Sequence, residues 1–200
     1  MFIYGASGHS KVIMDILYLQ KVMIDGIFED DPNKKELDGF PVKLFEPGFT
    51  EIGPIIIGVG DNMQRKQLAI KLKCRYGMAI HPRSTIAVRS EIGEGTVIMA
   101  GAIINPGTKI GKHSIVNSGA IIEHDCLLGD FVHLSPNSTL CGGVKIDEGS
   151  HIGAGAVVIP NITIRKWCTI GAGSVIIRDV PDFSTVVGNP GHIIRTDHKL

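Results

Sequence analysis

From Ile80 to Ile176 an aliphatic residue occupies every sixth position without a skip: Ile80, Ile86, Ile92, Ile98, Ile104, Ile110, Val116, Ile122, Leu128, Leu134, Leu140, Ile146, Ile152, Val158, Ile164, Ile170 and Ile176. Four places after each stands a small or β-branched residue, among them Thr96, Ala102, Ser114, Ala120, Cys126, Ser138, Ala156, Cys168 and Ser174. A helix needs apolar residues every three or four positions and cannot use a period of six. A hexapeptide period is that of a β-helix, in which each hexad supplies a short strand and a bend, and three hexads close one triangular coil. Coils stack at about 4.8 Å, so that each backbone group pairs with the coil above or below. The pattern predicts the large aliphatic at the corner of the prism and the small residue on an inward face. The hexads follow one another with no spacer, which predicts an uninterrupted left-handed parallel β-helix of between five and six coils over residues 80–181. A β-sandwich does not fit, since its strands alternate and its loops vary in length.

Residues 1–77 do not follow the hexad and read as an α/β, Rossmann-like domain; residues 78–200 hold the β-helix and a C-terminal tail. Residues 2–4 read as a strand, Gly5-Ala6-Ser7-Gly8 as a glycine turn, and residues 9–20 as a helix with Val12, Ile13, Ile16 and Leu17 on one face. Residues 24–28 form a second strand ending in Glu29-Asp30-Asp31, after which Pro32-Asn33 opens a loop. Residues 55–60 form a third, buried strand and residues 62–73 a second helix. This order makes the sheet parallel and places a ligand at the carboxyl ends of its strands. The turn at Gly5 to Gly8 offers backbone N–H groups to a phosphate. A full GxGxxG is missing, but Asp30, Asp31 and Gly60-Asp61-Asn62 converge on the same edge. The domain is expected to hold a nucleotide-containing ligand; the alternative is a turn that serves packing alone.

Composition narrows the class. Hydrophobic residues make up 44% and charged residues 20% of the chain, as in a soluble globular protein, and no apolar stretch is long enough to span a membrane. Lys and Arg balance Asp and Glu at 20 each, which argues against a nucleic-acid surface. The start MFIYGASGHSKV lacks the basic opening and long apolar run of a signal peptide, so the cytoplasm is the expected compartment. The four cysteines make no metal-spaced pair. Cys126 and Cys168 fall in the inward slot of the hexad, and Cys74 and Cys141 are expected as free thiols.

Titratable groups on the β-helix concentrate between Asn117 and Cys126. His124 and Asp125 stand two and three places after Ile122, at a bend where side chains point outward. Adding eighteen gives the residue on the next coil: Gly142 for His124, Gly143 for Asp125, His151 for His133 and Ala172 for Ala154. Two glycines beside a histidine predict a side-chain-free notch in which a substrate lies against the backbone. Histidines one coil, about 4.8 Å, apart disfavour double protonation. The plainer readings are a solvated corner imidazole for His124 and a surface polar ladder for His133 and His151.

The ladder resembles the left-handed β-helix of the hexapeptide acyltransferases. With GASGH at the start, EDD after the second strand, GVGDN, VNSGAIIEHDCLLGDFVHLSP and a terminal GNP, the chain is similar to bacterial sugar acyltransferases of the sialic acid O-acetyltransferase type. Within that group it looks most like the UDP-4-amino-sugar N-acetyltransferases of the bacillosamine pathway, and the resemblance spans nearly the whole chain. It implies transfer of an acetyl group from acetyl-CoA to the 4-amino group of a nucleotide-activated amino sugar, with sugar or sialic acid O-acetylation as the alternative. It implies His124 as general base and Asp125 as its neighbouring acid, where the bacillosamine enzyme has Glu. It implies His133, Gly142, Ala154 and Ala172 as contacts of acetyl-CoA, and Ser7, Gly8, His9, Asp30, Asp31 and Gly60 as contacts of the nucleotide sugar. A homotrimer with its active site between neighbouring β-helices, and no metal, complete the implication.

The residues suit that chemistry independently. An amine attacking a thioester sheds a proton, and a histidine, which ordinarily titrates near neutrality, is suited to accept it. A backbone N–H near Gly142 suits the oxyanion, and an inward Cys126 leaves direct transfer in a ternary complex. Two other classes compete. One is metal-dependent hydration, since some left-handed β-helix proteins resemble carbonic anhydrases; but of His124, His133 and His151 two share one stacked column, a poor tripod for tetrahedral zinc. The other is a non-catalytic sensor built on the N-terminal domain. Outward apolar residues such as Ile159 and Ile177 are expected to be covered by threefold packing.

Overall fold

The computed structural model describes residues 1–46, 53–72 and 74–197. β1 (Phe2–Tyr4), α1 (Gly8–Leu19), β2 (Gly26–Glu29), β3 (Glu36–Leu37), β4 (Phe40–Leu44), β5 (Ile55–Ile57) and α2 (Asn62–Leu72) build the N-terminal unit. β1 lies between β2 and β5 and is parallel to both. Strands covered on both sides read as continuous apolar runs, and Ile3, Ile27, Ile55 and Ile56 are fully buried. α1 starts one residue before the expected position because Ser7 caps it, accepting the His9 N–H at 3.2 Å. β2 starts two residues later than expected and ends one later, and β5 stops at Ile57. Lys73, the last residue of the expected second helix, lies outside the described residues.

The loop expected after Asn33 contains an antiparallel hairpin, β3–β4. Asp38 (φ 46°) and Gly39 (φ 82°) make its two-residue turn, and an Asp-Gly pair is a strong local hairpin signal that the sequence reading passed over. β4 then adds to the sheet in parallel with β2.

From β6 (Ala79–Ile80) to β22 (Val175–Ile176), strands of two residues follow one another every six residues with no inserted loop. They form the left-handed parallel β-helix that the hexad predicts. Each strand pairs in parallel with the strand eighteen residues on, as Ile103 with Ile121 and His133 with His151. Three faces result. The first stacks the strands from Ala79–Ile80 to Thr169–Ile170, the second those from Thr85–Ile86 to Val175–Ile176, and the third those from Glu91–Ile92 to Thr163–Ile164. β23 (Ser184–Val187) extends the first face, and β24 (His192–Thr196) returns antiparallel beside it.

The repeated aliphatic is not at the corner. It is the second residue of each strand and points into the prism, no more than 5% exposed from Ile98 to Ile176. The bend comes two and three places later. Third-place residues adopt left-handed φ, as at His113 (53°), Asp125 (61°) and Phe131 (59°), a conformation that β-branched Ile and Val resist. Aliphatics are thereby kept out of the third place, and each one buried in the prism is worth about 1.5–3 kcal/mol.

Outward residues distinguish the faces. On the first, Ala79, Val97 and Ile115 are buried beneath α1 and pack with Ile13, Ile16 and Leu17; farther along, the column turns polar at His133, His151 and Thr169. On the second, Ile103 and Ile121, then Thr139, then Val157 and Val175 form a half-buried, mainly aliphatic strip. On the third, Glu91, Lys109 and Lys145 are exposed. The N-terminal unit thus covers one face, water suits another, and among the described residues no element covers the mainly aliphatic one. Among the described residues no helix is long and apolar enough to cross a membrane.

Candidate active site

His124 and Asp125 form the bend between the second and third faces. Nδ1 of His124 lies 2.8 Å from Oδ2 of Asp125, so aspartate reaches the imidazole despite being one methylene shorter than glutamate. With Nδ1–H donated to the carboxylate, the lone pair of Nε2 is left to accept a proton. Both side chains are open to solvent, 64% and 72% exposed. The Asp125 N–H donates to the Pro106 carbonyl at 3.0 Å, which ties the bend to the preceding coil.

The expected notch of two glycines is a notch of one. A Cβ on Gly142 would stand 2.8 Å from His124 Nε2, whereas the corresponding space at Gly143 is filled by Asn161, whose Oδ1 would be 2.6 Å away. Third-place side chains lean back over the previous coil, Asp125 over Gly107 and Asn161 over Gly143. The Gly142 carbonyl accepts from the Asn161 N–H, and among the described residues the Gly142 N–H has no acceptor. Cys126 is fully buried, its S–H directed at the Cys141 carbonyl 3.3 Å away, and burial pushes the thiol up to about 11. It holds no nucleophilic thiolate.

On the first face the rings of His133 and His151 stack 4.7 Å apart and 11° from parallel. His133 Nε2 lies 3.3 Å from Asn117 Nδ2, and His151 Nε2 lies 2.7 Å from Ser135 Oγ. Burial first, then the neighbouring His151 and Arg65, pushes His133 down to about 3. Burial and then Arg65 lower His151 as well. Both rings are therefore neutral hydrogen-bonding groups at neutral pH. With Gly60, Asp61 and Trp167 they line a cavity of about 520 Å³. Among the described residues no three His, Cys, Asp or Glu side chains gather to hold a metal ion.

A second cavity, about 340 Å³, opens at the carboxyl ends of the parallel strands between Tyr4, Glu29, Asp30 and the α2 residues Gln64, Gln67 and Lys71. Asp30 accepts from the Tyr4 hydroxyl at 2.6 Å and pairs with Lys71 at 3.4 Å. The other residues expected here are placed differently. Ser7 caps α1 and donates to the Gly58 carbonyl. Gly8 faces open space. Asp31 accepts from the N–H and Nδ2 of Asn33 in a turn of its own. Gly60 borders the other cavity. His9 has a buried Nε2 with no partner, and burial, then Arg65, holds the ring down to about 4. The glycine turn is also occupied: the Ala6 N–H donates to Glu29 Oε2 at 2.9 Å. A phosphate at the Ala6 N–H would meet a carboxylate, so that one donor of the turn is taken.

Arg65, which the sequence reading missed, joins the two units. It is 1% exposed. Its Nε donates to the His113 carbonyl at 2.7 Å and Nη2 to the Phe131 carbonyl at 3.1 Å and to Asn62 Oδ1 at 2.7 Å, while Nη1 reaches the carbonyls of Val59 and Gly60. Asn62 Nδ2 in turn donates to the Gly149 carbonyl at 2.9 Å. His113, Phe131 and Gly149 are the third-place bend residues of successive coils, so α2 grips one column of carbonyls. No spacing in the sequence signals this, because the partners lie 48 and 66 residues from Arg65.

Chain order fixes where each group sits on the prism. His124 and Gly142 occupy the bend between the second and third faces, which is opposite the first face. Ala154 and Ala172, both exposed, occupy the bend between the first and second. His133 and the N-terminal unit lie on the first face. Within one chain, the imidazole and the cavity at Asp30 are therefore on different sides of the prism.

Residues 1–72 match the PglD N-terminal domain, and residues 89–124, 125–160 and 143–178 match the bacterial transferase hexapeptide (six repeats). UDP-N-acetylbacillosamine N-acetyltransferase of Bacillus subtilis (strain 168) is 43% identical over 112 residues, 49% of this chain and 50% of that protein, so the match spans about half the length of this curated relative. Perosamine N-acetyltransferase from Caulobacter crescentus, solved with one histidine replaced by asparagine and in complex with CoA and GDP-perosamine, superposes with a TM-score of 0.92. It is 34% identical, over 96% of this chain and 95% of that one. The acetyltransferase domain of PglB from Neisseria gonorrhoeae FA1090, in complex with acetyl coenzyme A, superposes with a TM-score of 0.88 at 35% identity, over 96% and 98%.

Proposed function

This chain belongs to the hexapeptide-repeat sugar N-acetyltransferases that carry a PglD N-terminal domain, and on that premise we propose that it moves the acetyl group of acetyl-CoA onto the 4-amino group of a nucleotide-linked amino sugar. The observation that carries this reading is the His124–Asp125 contact, which leaves Nε2 free beside the bare backbone of Gly142. The sugar amine, once neutral, attacks the thioester carbonyl carbon. His124 Nε2 takes the proton that nitrogen sheds, and Asp125 stabilises the imidazolium through Nδ1–H. The Gly142 N–H is the donor proposed for the oxyanion. As the C–S bond breaks, the imidazolium returns its proton to the sulfur, leaving the amide, the free thiol of CoA and a neutral histidine.

N-acetylation rather than O-acetylation is supported by the relatives, whose names are those of N-acetyltransferases. The acceptor proposed is a UDP-linked 4-amino-4,6-dideoxy-N-acetylhexosamine, supported by the substrate named for the Bacillus relative. Asp30 and its cavity hold the nucleotide sugar in this reading, with Ser7, Gly8, His9, Asp31 and Gly60 around it, and His133, Gly142, Ala154 and Ala172 border the coenzyme. The compartment proposed is the cytoplasm.

The working form proposed is a homotrimer. The aliphatic strip of the second face needs a cover, and its two edges are the bends that carry His124 on one side and Ala154 and Ala172 on the other. Head-to-tail threefold packing of that face brings the first bend of one copy to the second bend of the next. The imidazole of one copy then meets the first face and nucleotide edge of its neighbour, which a single chain keeps apart. The deciding assay is thiol release from acetyl-CoA with UDP-, GDP- and dTDP-linked 4-amino sugars. Turnover with a UDP sugar is the expected result; release with none of them, or only with sugar hydroxyls, overturns the reading.

A further inference from the structure

Arg65 is a buried cation with no carboxylate in contact among the described residues, and the acceptors that hold it are neutral. A guanidinium is suited to such a place because its planar fork presents five donors in fixed directions. Here one edge of the fork holds the Val59 and Gly60 carbonyls, in the segment that follows β5, and the other holds the His113 and Phe131 carbonyls of two successive coils. The segment it grips borders both cavities: Val59 lines the one at Asp30, and Gly60 lines the one at His133 and His151. Asn62 extends the grip by one coil to Gly149.

The apolar contact of α1 with Ala79, Val97 and Ile115 would hold the units together but would tolerate sliding, since apolar packing is not directional. Hydrogen bonds to carbonyls spaced one coil apart exclude any slide smaller than a whole coil. We propose that Arg65 is a positioning residue for the reaction: it fixes the register of the nucleotide-binding edge on the coils, and with it the reach of the bound sugar toward the imidazole. This rests on the reading that the nucleotide occupies the cavity at Asp30.

Arg65→Lys keeps the charge but supplies a single ammonium that cannot bridge both pairs of carbonyls. The expected result is a split. Affinity for UDP and GDP, measured by titration calorimetry, stays as in the unaltered protein, while kcat with the most active sugar nucleotide falls by about 10–100-fold, as a displacement near 1 Å produces. Ile16→Val, in the apolar contact of α1, is the control: it lowers the melting temperature and leaves kcat unchanged. Should Arg65→Lys fail to fold, Asn62→Ala, which removes the hold on the Gly149 and Ser150 carbonyls and one partner of Arg65, is expected to show the same split in smaller degree. An unchanged kcat in the folded variant, or a loss that only follows a loss of nucleotide affinity, overturns the positioning role. Failure of the underlying reading looks different: Asp30→Ala would then leave UDP and GDP binding intact.

Discussion

His124 and Gly142 lie one coil apart, and the imidazole fills the space that any side chain at position 142 would need: an added Cβ would stand 2.8 Å from both Cε1 and Nε2. Gly142 has no left-handed φ, so alanine suits its backbone, and the exposed ring can swing away at little cost. Gly142→Ala is expected to leave the melting temperature nearly unchanged while lowering kcat by about 100-fold, the scale of a misplaced catalytic group. Steady-state kinetics beside a thermal melt read both.

His124→Ala is expected to cut turnover by roughly 10²–10⁴-fold, the range for a lost general base. Asp125→Asn tests the partner without a backbone effect, because asparagine tolerates the φ of 61° found there. It should cost less than the histidine variant, since it weakens the hold on Nδ1 and leaves Nε2 in place. Near-normal turnover of His124→Ala at neutral pH, with chemistry rate-limiting, would reject the assignment.

Asp30→Ala should raise the sugar-nucleotide KM strongly with little change in acetyl-CoA affinity, and Ala172→Trp should obstruct the coenzyme and spare the nucleotide. Adding Asp31→Ala to the first should change little more, because Asp31 is engaged with Asn33. Titration of each variant with each ligand distinguishes them, and a reversed pattern would return the N-terminal unit to a coenzyme role.

Ile121→Arg puts a charge in the middle of the aliphatic second face. Sedimentation should then report the monomer mass, with the circular dichroism of the β-helix retained and activity lost. Mixing His124→Ala with Asp30→Ala, assayed at a sugar-nucleotide concentration far below the raised KM of the latter so that neither alone turns over appreciably, should restore activity after dissociation and reassembly if one copy supplies the base and its neighbour the sugar. No recovery in mixed trimers would place both on one chain.

Stability should fall on mild acidification. His113 is 4% exposed, ringed by Tyr76 and Phe131 at 4.4 and 5.2 Å, and its Nδ1 has no partner; burial holds it at about 4. The unfolded chain, titrating near 6.5, binds more protons between those values, so stability is complete above about 6.5 and drains away as pH falls toward 4. His9, at about 4, and His133, at about 3, act in the same direction. His113→Phe should weaken this dependence, and Phe131 shows that the same bend one coil on accepts phenylalanine. Urea midpoints at pH 7.5 and 5 provide the check.

The β-helix was legible because its rule is short-ranged. A residue's place in the hexad decides whether it points inward, outward or into the bend, and adding eighteen names its neighbour, as the pairs His133–His151 and His124–Gly142 bear out. The direction in which a bend residue leans was not legible, since it depends on left-handed φ; hence two glycines were expected beside His124 and Asp125 where one serves. The apolar strands of the N-terminal unit were equally plain, and its hairpin could have been read from Asp38-Gly39.

Tertiary structure alone decided which face α1 covers, that Glu29 takes the Ala6 N–H of the glycine turn, that Arg65 locks α2 to the coils, and that His124 lies on the far side of the prism from the cavity at Asp30. Periodicity describes contacts that repeat, and such contacts are the same at every coil. Docking of one unit on another happens once, through partners dozens of residues apart, and is settled by shape, burial and the demand of buried carbonyls for donors.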